Sequence, residues 1–273
     1  LKQKGIGIHI ETNGTLISER DASALKESGV SFIAVSLDSQ EAMINDYLRG
    51  RKGAFDATIQ GIKMLRRFGL TVQIIASLYK KNINEIEKII ILAKDLSASS
   101  IKFNPIMLIG RSKSTKEIFP SIKEIIELYY NLEGKNDDPA LKIIFDIPPA
   151  FRNIKELKRN GTSTCGIRNI LGLLSDGTIS ICGIGKHIDD LVMGNIKGDS
   201  IKDVWQNHRI FRKIREEIPD KLEGICARCM MKRYCLGKCR ADAYYRYGSI
   251  NAPLPFCQEA YEQGLFPSSR LIS

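Results

Sequence analysis

The sequence predicts an α/β protein: a βα repeat that builds a parallel sheet, followed by a small cysteine-rich domain with a β-hairpin and short helices. Three observations predict it. From residue 6 to about 105, short apolar runs alternate with amphipathic stretches. Beyond Pro148-Pro149 the rhythm changes to short strands flanking an Asp-Gly turn. All seven cysteines then fall between Cys165 and Cys257, with none in the βα region.

Strands are expected at Gly7 to Glu11, Phe32 to Leu37, Thr71 to Leu78 and Ile101 to Pro105. Helices are expected at Ser18 to Glu27, Phe55 to Phe68 and Ile83 to Leu96. On the second helix Ile59, Ile62 and Leu65 recur at helical spacing, and on the third Ile86, Ile89, Ile90 and Ala93 do the same. Such a repeat demands right-handed crossovers, with the sheet either wound into a barrel or left open. After Gly110-Arg111 come a polar stretch, a helix at Ile122 to Leu132, an Asp137-Asp138-Pro139 break and a strand at Leu141 to Asp146. Ile170 to Leu174 and Thr178 to Ile181 flank Ser175-Asp176-Gly177 as a hairpin. The expected divisions are residues 1–112, a connecting region at 113–160 and the cysteine-rich domain at 161–273.

At 273 residues, 43% hydrophobic and 26% charged, the chain has the balance of a soluble globular protein. No apolar run approaches the ~20 residues that span a bilayer, so no membrane partner is expected. With no secretory leader in view, a cytoplasmic address is expected, where thiols stay reduced. The formal charge of +10 is spread along helices that also carry Glu and Asp. That distribution reads as solvated faces rather than a nucleic-acid surface, although a basic groove for an acidic peptide stays open. The chain opens on Leu1 and runs almost at once into the strand-like IGIHIETNG, which suggests a fragment.

The cysteines read Cys165-x11-Gly177-x4-Cys182, a long gap, Cys226-x2-Cys229-x5-Cys235-x3-Cys239, and last Cys257. Thiolates are soft ligands that deprotonate on coordination, and two of them three positions apart reach one metal from a tight turn. Buried free cysteines scatter and seldom form such spacings. A structural zinc would use four thiolates and leave three unexplained, yet spacing alone does not choose between zinc and iron.

The full pattern resembles, at every position, the seven-cysteine SPASM domain of radical S-adenosylmethionine (SAM) enzymes, and the resemblance covers residues 165 to 257. It implies two auxiliary iron-sulfur clusters of the 4Fe-4S kind. Cys226, Cys229, Cys235 and Cys257 hold the outer one, and Cys165, Cys182 and Cys239 hold the inner one. Positions 166 to 181 supply no further cysteine, so the inner cluster is expected to have an open iron site or a non-cysteine ligand. Upstream, residues 6 to 111 are similar to the partial (β/α)6 barrel of the same superfamily. The residues that carry this are Thr12-Asn13-Gly14-Thr15, Ser36-Leu37-Asp38, Asn45-Asp46-Tyr47-Leu48-Arg49-Gly50 and Gly110-Arg111. By that resemblance Asn13, Ser36 and Asp38 hydrogen-bond SAM, Arg49 pairs with its carboxylate and Leu108 touches its adenine.

The superfamily's C-x3-C-x2-C loop and Gly-Gly-Glu-Pro motif do not occur in the sequence, and the first strands of the barrel are expected upstream of Leu1. SAM and a third 4Fe-4S cluster are therefore expected in a full-length protein, and the chain as given is expected to be inactive alone. The resemblance implies a peptide or protein substrate, as in peptide or sulfatase maturation, and an electron donor such as flavodoxin or ferredoxin. Asp146 is a candidate for proton transfer. A non-catalytic cluster-binding or substrate-docking module and a zinc-binding protein are the alternatives.

Overall fold

The protein is described here by a computed structural model, which covers residues 1–110, 118–133, 140–161 and 165–272. Arg111 of the Gly110-Arg111 motif and the Asp137-Asp138-Pro139 break lie outside the described residues. The chain forms two compact units, Leu1–Ile106 with Glu117–Asp146, and Met107–Lys116 with Ile147–Ser273.

In the first unit β1 (Ile8–Thr12), α1 (Glu19–Glu27), β2 (Val30–Ser36), α2 (Ala42–Arg49), α3 (Ala54–Arg67), β3 (Val72–Ser77), α4 (Ile86–Asp95), β4 (Ser100–Asn104), α5 (Ile122–Leu132) and β5 (Lys142–Phe145) follow in order. The sheet order is β1-β2-β3-β4-β5, with every neighbouring pair parallel. Sequential parallel strands joined by helices make a partial βα barrel, as expected. The inner strands are buried on both faces: Ile33, Val35, Val72, Ile74, Ile101 and Phe103 are fully enclosed on one, and Ala34, Gln73 and Ser100 are buried on the other. β1, with a neighbour on one side only, alternates half-buried and exposed residues.

Two elements differ from expectation. Asn45 to Arg49 is helical rather than a plain connection, because Gly50 takes a left-handed conformation (φ 66°) and ends α2. The strand near residue 142 belongs to the sheet, since β5 pairs with β4 from Ser100↔Lys142 to Phe103↔Phe145. The 118–146 part of the expected connecting region thus sits with the βα unit, while Leu108 and Gly110 sit with the second.

α3 packs against the β1–α1 turn through Gly61, where a Cβ would lie 2.0 Å from the Gly14 carbonyl oxygen. Gly61→Ala is therefore expected to displace that turn and to cost about 1–3 kcal/mol, read as a lowered denaturation midpoint.

The second unit holds α6 (Ile154–Asn160), an antiparallel sheet of β6 (Gly172–Leu173), β7 (Thr178–Ser180) and β8 (Val192–Asn195), then α7 (Ile201–Asn207) and α8 (Arg209–Glu217). α9 (Gly224–Ala227), α10 (Lys232–Cys235), α11 (Arg240–Tyr247) and α12 (Pro255–Glu262) complete it. The Asp-Gly hairpin forms as expected between β6 and β7. The third strand, β8, carries only four residues with Met193 buried, too short for an alternation to signal it. Ile179, Ile181, Leu191, Phe211 and Ile214 form the core of this unit.

Candidate cluster and cofactor sites

The βα unit gathers polar groups at the C-terminal ends of its strands, where ligands of such sheets bind. Asp38, just past β2, is 1% exposed. Its carboxylate meets the Arg49 guanidinium at 2.7 Å and accepts the Ser77 N–H from the end of β3 at 2.8 Å. Its own N–H donates to Asn45 Oδ1 (3.0 Å). Asn82, fully buried, donates to the carbonyls of Asp38 (2.6 Å) and Ser77 (2.8 Å) and accepts the Tyr79 N–H (2.8 Å). Burial pushes the Asp38 carboxyl up from its usual pKa, against the opposing pull of Arg49 and Ser77.

The predicted residues are thus placed differently from one another. Asp38 and Arg49 are joined as a pair, Ser36 is half-buried at the end of β2, and exposed Asn13 accepts the Thr15 N–H and hydroxyl in a local turn. Leu108 is in the other unit, and Asp146 meets Lys102 at 3.4 Å. Three buried polar atoms in this region have no partner among the described residues: Asn45 Nδ2, Arg49 Nε and Asn104 Oδ1, the last at the end of β4. Unpaired buried polar atoms are costly and rare, so a polar ligand fits this end of the sheet. Asn82 and Asn104 are the residues that sequence reasoning missed, and Asn45 stood in a motif with no role given to it, because buried amides carry no periodic signal. Asn82→Ala would orphan three backbone groups and is expected to cost about 1–3 kcal/mol, measured by chemical denaturation.

In the second unit the seven cysteines fall into two groups. Cys226, Cys229, Cys235 and Cys257 are buried and line one cavity, together with Leu222, Ile225 and Leu254 among others. Two of these sulfurs already accept backbone hydrogen bonds, Cys226 from Leu254 N–H and Cys229 from Met231 N–H, each at 3.4 Å. Burial, reinforced by the neighbouring thiols, holds the Cys257 thiol well above its usual pKa and pushes Cys235 up to about 12.

Cys165, Cys182 and Cys239 pack instead against the core formed by Ile179, Leu191 and Phe211. Cys239 is pushed up to about 12 by burial, with Asp242 and the Cys165 and Cys182 sulfurs adding to it. Cys239 thus groups with two cysteines more than fifty residues upstream and not with Cys235 beside it. It caps the N-terminus of α11, and Cys257 lies in the first turn of α12, where unpaired backbone N–H groups favour a thiolate.

The donor sets fit metal clusters. Coordination deprotonates thiols that burial otherwise keeps neutral, and N–H groups aimed at sulfur are usual partners of cluster thiolates. Among the described residues, no group of three or more His, Cys, Asp or Glu converges as a single metal ion requires. The four thiols surround a space rather than meet at a point.

Comparison with known proteins agrees. The radical SAM superfamily model matches residues 1–93, and SPASM, an iron-sulfur cluster-binding domain, matches residues 165–230. The chain is 30% identical over 265 residues to the AdoMet-dependent heme synthase of Methanosarcina barkeri, a match covering 93% of this chain and 74% of that protein. The chain belongs to the radical SAM superfamily. Its second unit carries a SPASM domain. A second relative, the mycofactocin maturase MftC of Mycolicibacterium smegmatis, is 26% identical over 264 residues, covering 94% of this chain and 64% of that protein. The solved structure of native anSMEcpe with bound AdoMet superposes with a TM-score of 0.71 at 19% identity, covering 94% of this chain and 72% of that one. A partial TIM-like barrel followed by a SPASM domain is therefore the fold, and iron-sulfur clusters and SAM are the cofactors of the family. Among the described residues, no helix is long and apolar enough to cross a membrane.

Proposed function

We propose that this chain forms most of a radical SAM enzyme that modifies a peptide or protein, with an outer auxiliary 4Fe-4S cluster on Cys226, Cys229, Cys235 and Cys257 and an inner one on Cys165, Cys182 and Cys239. The observation that carries the cluster assignment is the division of the seven thiols into four around one cavity and three against another core. Bound there, the clusters supply electron acceptance or ligation of the substrate, alongside the hydrogen-abstracting chemistry of SAM.

The protein's own part is to orient and to exclude water. Asp38 and Arg49 act as a positioning pair at the end of β2, leaving Arg49 Nε, Asn45 Nδ2 and Asn104 Oδ1 to meet SAM, with Asn13 and Ser36 beside them in the βα unit. A flavodoxin or ferredoxin supplies the electron, in the cytoplasm.

The maturase relative supports the peptide substrate. A second substrate class, an iron tetrapyrrole, is favoured by the greater identity to the heme synthase and by 28% identity over 286 residues to an Fe-coproporphyrin III synthase. The two readings separate in one assay. Anaerobically purified full-length protein, reduced in the presence of SAM, is given either the small peptides encoded beside its gene or Fe-coproporphyrin III. A mass change in a peptide supports the first reading, and one in the porphyrin replaces it with the second.

The cluster assignment has separate tests. An in-frame C-x3-C-x2-C encoded upstream of the codon for Leu1 is expected, and its absence there would sink the enzymatic reading. Anaerobic purification is expected to give a coloured protein with iron and acid-labile sulfide; a colourless one holding zinc and no sulfide contradicts it. Cys239→Ala is expected to lose the inner cluster's iron alone, and equal loss from both clusters counts against the pairing.

A further inference from the structure

Arg240 follows the last cysteine of the dense group, where a basic residue reads as solvent-facing. It is 0% exposed, and among the described residues it heads the fully enclosed side chains by size. Enclosing a guanidinium is costly unless its donors are satisfied and its charge is met. Nη1 donates to the carbonyls of Ile250 (3.0 Å) and Ala252 (2.7 Å), and Nη2 donates to the Gly237 carbonyl. Gly237 is shaped for this contact, since at φ 70° a Cβ there would lie 2.6 Å from the Arg240 guanidinium carbon.

Those bonds describe a clamp on two backbone segments, but they leave two facts over. Nε–H is buried with no partner among the described residues. Among the described residues no carboxylate forms an ion pair with Arg240; Asp242 and the sulfurs of Cys226, Cys235, Cys239 and Cys257 act on its charge. Gly237, whose carbonyl Nη2 holds, lines the four-thiol cavity, and Arg240 directly follows Cys239 of the other group, so one cation stands beside both.

We propose that Arg240 is a tuning residue for both auxiliary clusters, its Nε–H donating to a cluster sulfur and its fixed charge raising both reduction potentials. The inference rests on the cluster assignment under Proposed function. Cluster potentials follow net charge, hydrogen bonds to sulfur and solvent exposure, and Arg240 acts on the first two. Reduction adds negative charge, which a buried cation stabilises. A merely structural arginine would alter stability and leave the potentials of folded protein unchanged.

The test uses anaerobically purified full-length protein. Iron and sulfide are counted first in the wild type, and a protein without them refutes the cluster assignment before Arg240 is touched. Arg240→Gln and Arg240→Lys are then titrated redox-wise with EPR detection of the reduced clusters. Both potentials are expected to fall in the Gln variant, and to fall less in the Lys variant, which keeps a cation but loses Nε–H. A Gln variant with full iron content and wild-type potentials overturns the proposal.

Should neither variant keep its clusters, wild-type protein grown on guanidino-15N arginine supplies the answer. Pulsed EPR of the reduced clusters is expected to show a 15N coupling that persists in Arg270→Lys, the control for the arginine whose charge acts on Cys229. No persistent coupling overturns the proposal equally.

Discussion

Cys257→Ala is expected to strip about half of the iron and sulfide held by this chain's two clusters and to loosen residues 222–235 and 253–272, while the βα unit stays folded. The reason lies in what else holds that segment. Cys226 sits in α9 and Cys235 ends α10, helices of four residues each, far below the ~12–15 at which an isolated helix becomes even marginal. Beyond α12 and the Arg240 contacts to the Ile250 and Ala252 carbonyls, a few backbone contacts tie these short helices down: one bridge pairs Cys229 with Leu271, Met230 N–H reaches the Arg270 carbonyl at 2.9 Å and Ile272 N–H the Arg228 carbonyl at 2.8 Å. In such short elements, coordination is folding energy, and structural zinc sites built from thiolates supply on the order of 10 kcal/mol. Hydrogen exchange is the measurement. Lost protection over 222–235 and 253–272 with β2–β4 unchanged is the expected pattern, and loss over the whole chain would contradict it. Because the inner group packs against a separate core of Ile179, Leu191 and Phe211, its iron is expected to survive.

What the sequence disclosed follows from which interactions are local. The inner strands were legible to within a residue or two, because strands buried on both faces are mostly apolar, as in β3, where Val72, Ile74, Ile75 and Ala76 outweigh Gln73 and Ser77. The cysteines were legible because the residue type is rare and its spacing is one-dimensional. Their division was not, except through resemblance, since Cys239 joins Cys165 and Cys182 across a long stretch of chain. Arg240 gave no signal at all: nothing in Lys238-Cys239-Arg240 says that the guanidinium is enclosed by carbonyls ten and twelve residues away. Asp38 was legible as a polar residue at a strand end, and Asn45 stood in a quoted motif without a role, but Ser77 and Asn82 lie 39 and 44 residues on from Asp38, where no motif reaches.

Arg49→Met is expected to destabilise the βα unit by about 2–4 kcal/mol at neutral pH, because it leaves the Asp38 carboxylate enclosed without its counter-charge. Fully buried pairs that lose one partner cost about 3–5 kcal/mol; Arg49 is 28% exposed, so water screens part of this pair and the lower end applies. The cost has a pH signature. Burial already raises the folded-state pKa of Asp38, and only Arg49 and the Ser77 N–H oppose it. The folded state therefore keeps this proton at pH values where the unfolded chain has released it, so the group's contribution to stability falls as pH rises from the ordinary carboxylate range through the raised folded pKa. Without Arg49 the folded pKa climbs further and that fall extends to higher pH. The variant's deficit should accordingly be largest at neutral pH and shrink on acidification, when Asp38 is protonated in both states. Denaturant midpoints of wild type and variant across that range read it directly. A deficit independent of pH would mean that Arg49 contributes packing alone, and Asp38→Asn in the Arg49→Met background should then restore nothing. Partial recovery in that double variant is the result expected if the enclosed charge is what Arg49 answers.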